Sequence, residues 1–263
     1  MGIKVAVSGK GGVGKTTIAG TLARSWALQG KRVLAVDADP VNHLASTLGI
    51  PPDKMPAPLS EMSGLIEERT GVAPGNSFGK LFRLNPKVDD IPDKYAALSP
   101  DGVRLLVLGT IKHASGGCFC PENALLRTLL DHLVLLREDF LVVDMEAGLE
   151  HLGRGSSRGL DILLLIVEPG QRSLDTAARI KELAAELGIK RVEVVLNKAN
   201  SKEQIDEVTR RIEEIGLHII ASIPYDPVLI DADLKGVPPY SLSADSPAMS
   251  VIKGITTKLE AIR

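Results

Sequence analysis

Short runs of aliphatic and β-branched residues recur along the chain at residues 3 to 8, 32 to 36, 103 to 108, 140 to 144, 162 to 167, 192 to 196 and 218 to 223. They are too short for helices and nearly continuous in apolar character, which predicts strands buried on both faces. Residues 15 to 29, 121 to 137, 172 to 187 and 203 to 215 carry apolar positions at helical spacing, and the last two segments end near Gly188 and Gly216 as helix stops. Such alternation predicts an α/β fold: a doubly wound, mostly parallel sheet with helices on both faces and right-handed crossovers. Residues 50 to 102 are rich in Pro and Gly, and the pattern there predicts short helices and an edge strand near residues 81 to 84. Residues 247 to 263 predict a moderately amphipathic helix that packs against the sheet.

With 263 residues, 44% of them hydrophobic, the chain is long enough for one domain spanning 1–263 with a core of its own. Its net charge of −2 and pI near 6.2 supply no positive field, so neither nucleic acid nor stable membrane association is expected. There is no run of 18 or more apolar residues, and the chain begins directly with strand-like sequence, so a cytoplasmic protein is expected. Cys118 and Cys120 stand one residue apart, which is not a disulfide framework and suits a reducing compartment.

The first strand runs into Gly9-Lys10-Gly11-Gly12-Val13-Gly14-Lys15-Thr16-Thr17, which opens the first helix. Strand before and helix after are the setting a phosphate-binding loop requires. Glycines let the backbone approach phosphates with N–H groups turned inward, and the helix N-terminus adds partial positive charge. Lys15 then reaches the β and γ phosphates of ATP, and the Thr16 hydroxyl serves Mg²⁺. Gly11, Gly12, Val13, Gly14, Lys15, Thr16 and Thr17 form the candidate nucleotide set. Asp37 and Asp39 end the second strand, and Asp144 ends the fourth apolar run, all at the edge of the sheet where open α/β folds bind ligands.

The second lysine inside the loop, Lys10, resembles the deviant Walker A family of P-loop NTPases, which includes MinD, ParA, the nitrogenase iron protein and the arsenical-pump ATPases. The resemblance implies an ATP-sandwiched homodimer in which Lys10 crosses to the partner's nucleotide, and an ATP hydrolase that cycles to ADP. It also implies that Asp39 orients the attacking water in switch I, with Asp37 near the Mg²⁺ shell and Asp144 as the Walker B carboxylate. Either strand-end aspartate of the second strand could instead cap the next helix. Residues 144 to 151 resemble switch II, with Glu146 where the wider family often has proline. Asn197, in Asn197-Lys198 at a strand end, is the family's adenine-edge residue by resemblance, or else a helix cap, and Pro224 is a further candidate for the adenine pocket.

Gly117-Cys118-Phe119-Cys120-Pro121-Glu122-Asn123 precedes a long helix, with Cys120 at the N-cap and Pro121 at the first helical position. Two thiolates are half of a four-ligand soft-metal site, and a two-fold axis would supply the rest; Zn²⁺ would be tetrahedral there, whereas Ni²⁺ could be square-planar. The alternative is a pair of ordinary buried thiols. His43, His113, His132 and His151 lack ligand spacing and read as structural or solvated.

The CxC before Pro-Glu-Asn, the segment from Asn85 to Asp89 and the Glu-His-Leu and Arg-Gly within residues 150 to 155 together resemble the CooC-type accessory ATPases of nickel carbon-monoxide dehydrogenase maturation. That resemblance runs from the phosphate loop to Pro224. It implies Cys118 and Cys120 as nickel or zinc ligands shared across the homodimer, and a carbon-monoxide dehydrogenase or acetyl-CoA synthase as client. A MinD- or ParA-like regulatory switch acting through membrane or protein partners is the alternative; the acidic pI argues against its membrane or DNA output. An electron donor like the nitrogenase iron protein would need well-separated cysteines.

Overall fold

The computed structural model describes residues 2–39, 43–75, 81–109, 120–135, 140–149, 152, 157, 159–242 and 245–262. Strands β1 (Lys4–Gly9), β2 (Val33–Ala38), β3 (Ala97–Leu98), β4 (Arg104–Val107), β5 (Phe140–Met145), β6 (Ile162–Val167), β7 (Val192–Ala199) and β8 (Ile219–Pro224) form one eight-stranded sheet in the order β3-β4-β2-β5-β1-β6-β7-β8. Among the described residues, only the β3–β4 pairing is antiparallel. The helices are α1 (Lys15–Leu28), α2 (Leu44–Thr47), α3 (Ser63–Thr70), α4 (Ile91–Tyr95), α5 (Pro121–Leu135), α6 (Gln171–Leu187), α7 (Lys202–Glu214), α8 (Pro227–Leu234), α9 (Pro239–Leu242) and α10 (Pro247–Ala261).

Alternation along the central strands builds two cores. Val5, Val7, Val142, Leu164 and Ile166 face one side with α1 and α10, while Ala6, Leu141, Val143, Leu163 and Leu165 face the other with α3, α5 and α6. Both faces are covered, which is why these runs read as continuously apolar. Trp26 of α1 is fully buried; its indole N–H donates to a Glu260 carboxylate oxygen of α10 at 2.8 Å, and its ring lies 5.1 Å from that of Phe140. The indole thus gains the polar partner a buried tryptophan needs and ties the C-terminal helix to the first.

The expected strands and helices appear close to their predicted positions, and Gly188, at φ 76°, ends α6 in the left-handed conformation. The edge strand is a correction. Residues 81 to 84 are irregular; Leu81 is fully exposed, and the Arg83 N–H donates to the Thr70 carbonyl at the end of α3. The edge is instead β3, whose Ala97 and Leu98 pair with Leu105 and Arg104. β1 lies between β5 and β6, so the chain turns to opposite sides of the sheet beside it, and the loop after β1 sits at that switch point.

Candidate functional site

Close packing begins at the end of β1. A Cβ on Gly9 would lie 2.3 Å from the Ile166 carbonyl oxygen, so only glycine lets the strand leave the sheet this close to β6. The loop then closes at Gly14, φ 95°, immediately before α1. Three of its carbonyls are held by side chains: Asn197 Nδ2 donates to Val13 O at 2.7 Å, Lys198 Nζ to Gly12 O at 2.6 Å, and Lys15 Nζ to Lys10 O at 3.3 Å. In a trans peptide the following N–H points the opposite way, so fixing these carbonyls also fixes the orientation of the Gly11, Val13 and Gly14 N–H groups. The loop is thereby a preformed anion cradle at a helix N-terminus.

The cradle opens into a cavity of ≈ 490 Å³ whose walls include Gly11, Gly12, Gly14, Lys15, Thr16, Thr17, Asp39, Asn197 and Pro224. Its far side is Tyr225, Asp226, Leu229, Ile230 and Asp233, from the loop after β8 and from α8. Asp226 fixes that wall: its carboxylate accepts from the Val228 N–H at the start of α8 and from the Ala248 N–H at the start of α10.

Asp37 and Asp144 stand opposite each other on the neighbouring strands β2 and β5. Asp37 is fully buried, and its oxygens accept from the Asp39 N–H at 3.1 Å and the Leu44 N–H at 3.0 Å, so it caps the short helix α2. Burial nonetheless raises its pKa to about 6, because the two backbone donors only partly offset the lost hydration. Asp144 is pushed up to about 7, first by burial, against the pull of the nearby Thr16 hydroxyl, and further by the charge of Asp37. Neither Asp144 oxygen makes a hydrogen bond of good geometry among the described residues. Two buried carboxylates side by side, one with unsatisfied oxygens, suit a hard divalent cation next to the cradle.

Beside them, Ser8 Oγ donates to the Gly148 carbonyl at 3.0 Å, which joins the strand before the cradle to the segment after Asp144; Glu146 there is exposed. Across the cradle, Lys10 and Lys198 both pair with Glu168, at 3.3 and 3.2 Å.

Residues 4–239 match the family described as the CobQ/CobB/MinD/ParA nucleotide binding domain. The chain belongs to this family. It is 46% identical to the carbon monoxide dehydrogenase accessory protein CooC of Rhodospirillum rubrum over 92% of this chain and 90% of that protein. Among solved structures it resembles MinD in the MinC:MinD complex of Aquifex aeolicus, with 22% identity, TM-score 0.70 and coverage of 99% of this chain and 96% of that one. It also resembles MinD of Pyrococcus horikoshii complexed with Mg-ADP, with 19% identity, TM-score 0.66 and coverage of 99% and 96%. These two likenesses show the shared fold. The CooC resemblance read from the residues is borne out, and this member of the CobQ/CobB/MinD/ParA family is a P-loop ATPase.

Within that ATPase, the predicted nucleotide residues line one cavity, except Val13, whose side chain is buried in the core beside α1. Asn197 is not a helix cap; Ser201 caps α7, accepting from the Gln204 N–H. His43, read as structural or solvated, is exposed at the cavity wall. Cys120 is half-buried, and its carbonyl accepts from the Ala124 N–H, which makes it the residue that enters α5, with Pro121 at the first helical position as expected. Cys118, His113, Glu150 and His151 lie outside the described residues. Sequence reasoning missed Glu168 and Lys198 as partners of the loop, and Tyr225 to Asp233 as the second wall. Lys198 carries the signal that could have found it, since it follows Asn197 at the same strand end. No helix among the described residues is long and apolar enough to cross a membrane.

Proposed function

We propose that this ATPase is a nickel metallochaperone that assists insertion of nickel into a carbon-monoxide dehydrogenase or acetyl-CoA synthase, with ATP binding closing a homodimer and hydrolysis reopening it. The observation that carries the reading is the likeness to CooC, 46% over nearly the whole chain, in a protein that also bears the CxC pair at the start of a helix. Lys15 and the loop N–H groups hold the β and γ phosphates, the cavity between Asn197 and Pro224 takes the base, and Asp39 orients the attacking water. Thr16 and Asp144, with Asp37 beside them, would hold Mg²⁺, which would supply positive charge against the negative charge of the phosphates. Support for that cation comes from the unsatisfied, buried oxygens of Asp144. Lys10 crosses to the partner's nucleotide and makes catalysis depend on the dimer.

Nickel is the cargo. Cys118 and Cys120 of each subunit form a four-thiolate site across the two-fold axis, and α5, which begins directly after Cys120, gives metal coordination a route to the segments that sense the γ-phosphate. Replacing both cysteines by serine should abolish stoichiometric nickel binding while ATP binding stays within about twofold of the native chain. Nickel binding that survives the double substitution would defeat the reading.

A further inference from the structure

Glu168 stands directly after β6, at the same edge of the sheet as the cradle, and takes no part in the mechanism above. Its backbone is pinned where α6 begins, because its N–H donates to Ser173 Oγ at 3.0 Å. From that fixed position its two carboxylate oxygens receive two different lysines. Lys10 Nζ lies 3.3 Å from Oε1, and Lys198 Nζ lies 3.2 Å from Oε2. The side chain of Glu168 is 23% exposed, against 36% for Lys10 and 41% for Lys198, so the carboxylate forms the sheltered centre of the triad and the ammonium groups its rim.

Lys198 is held on both sides. Besides Glu168 it donates to Gly12 O, and it has φ 59°, the left-handed conformation that a lysine keeps only where its surroundings fix it. Lys10 is different: it belongs to the open rim of the loop, and its ammonium is the group assigned above to the partner's phosphates. In the single chain that ammonium is bound to a carboxylate of its own subunit, and serving a partner requires leaving it.

We propose that Glu168 is a positioning residue that latches Lys10 within its own subunit, and that closure of the ATP dimer exchanges Lys10 from Glu168 to the partner's nucleotide while Lys198 stays behind as the counter-ion. This rests on the ATP-sandwich reading of the preceding subsection. Lys198 makes the exchange reversible. Without it, departure of Lys10 would strand a partly sheltered carboxylate, whereas with it the charge stays compensated and the Gly12 carbonyl keeps its donor. The latch raises the threshold for dimerisation, so that two chains close only when phosphate charge is present to compete with Glu168. Two such latches open per symmetric dimer.

The test is the dimer dissociation constant, measured by sedimentation velocity with Mg²⁺ and a non-hydrolysable ATP analogue, for the native chain, Glu168→Gln, Lys10→Ala and the double variant. An ion pair this exposed is worth roughly a factor of two to three, so Glu168→Gln should dimerise about fivefold more tightly with both latches gone. The gain should disappear in the Lys10→Ala background, where no latch remains to open. Damage to the fold would weaken the dimer instead of tightening it, so the sign separates a latch from a structural role. A Glu168→Gln dimer of unchanged or lower affinity, beside a native chain that does dimerise, overturns the latch alone. A native chain that binds the analogue and stays monomeric at every concentration overturns the sandwich reading, and the latch with it.

Discussion

Replacing Asp144 by asparagine should make the metal-free protein more stable at pH 8, although the residue lies in the nucleotide site. Its carboxyl group is raised from 3.8 to about 7, chiefly by burial. With the folded pKa above the unfolded one, the folded state keeps a proton that the unfolded chain has already released; the associated stability is complete below pH 3.8 and is lost as pH rises through about 7. That linkage costs about 2 kcal/mol at pH 5.5 and about 4 kcal/mol at pH 8. Asparagine does not titrate and escapes the cost, but it buries an amide without a partner, at about 1–3 kcal/mol. The net expectation is a variant about 2 kcal/mol more stable than the native chain at pH 8, with a gain about 2 kcal/mol smaller at pH 5.5. Urea unfolding with a chelator present, at both pH values, measures the difference. Adding Mg²⁺ and ATP should then stabilise the native chain more than the variant, because the cation compensates the carboxylate. A gain that is the same at both pH values would refute the reasoning, since it would mean that Asp144 is not strained by ionisation.

The contact between Asn197 and Val13 gives the next expectations. Asn197→Ala removes a buried hydrogen bond of 2.7 Å and leaves the Val13 carbonyl without that donor, so it should destabilise the fold by about 1–2 kcal/mol and weaken ATP binding at least tenfold, read by calorimetric titration. Gly14→Ala should do more harm to binding: its Cβ would meet Asn197 Nδ2 at 2.5 Å in a backbone with φ 95°, so retention of native ATP affinity would contradict the preformed cradle.

How much of this was legible in the sequence follows the range of the interactions. Buried strands and amphipathic helices have local signatures, and the phosphate loop is a contiguous motif, so β1, the loop and α1 were readable together. β3 was not, because Ala97 and Leu98 carry no periodicity and become a strand only by pairing with β4. The apolar residues near 81 to 84 suggested a strand but pair with no strand among the described residues, and Leu81 ends in solvent. Glu168 was invisible for a related reason: its partners, Lys10 and Lys198, are far away in sequence and meet only because β1, β6 and β7 lie side by side. Asn197 was found by resemblance, but its bond to the loop carbonyl belongs to the folded chain. The pH behaviour of Asp144 likewise arises from burial beside Asp37, which the register of β2 and β5 creates.

The central claim is that ATP governs a shared nickel site, and anaerobic nickel titration of the reduced protein, with and without ATP and Mg²⁺, tests it most directly when metal stoichiometry and molecular mass are read together. The account predicts one nickel ion per dimer, with an affinity that changes with nucleotide. Absence of bound nickel in every nucleotide state would contradict it.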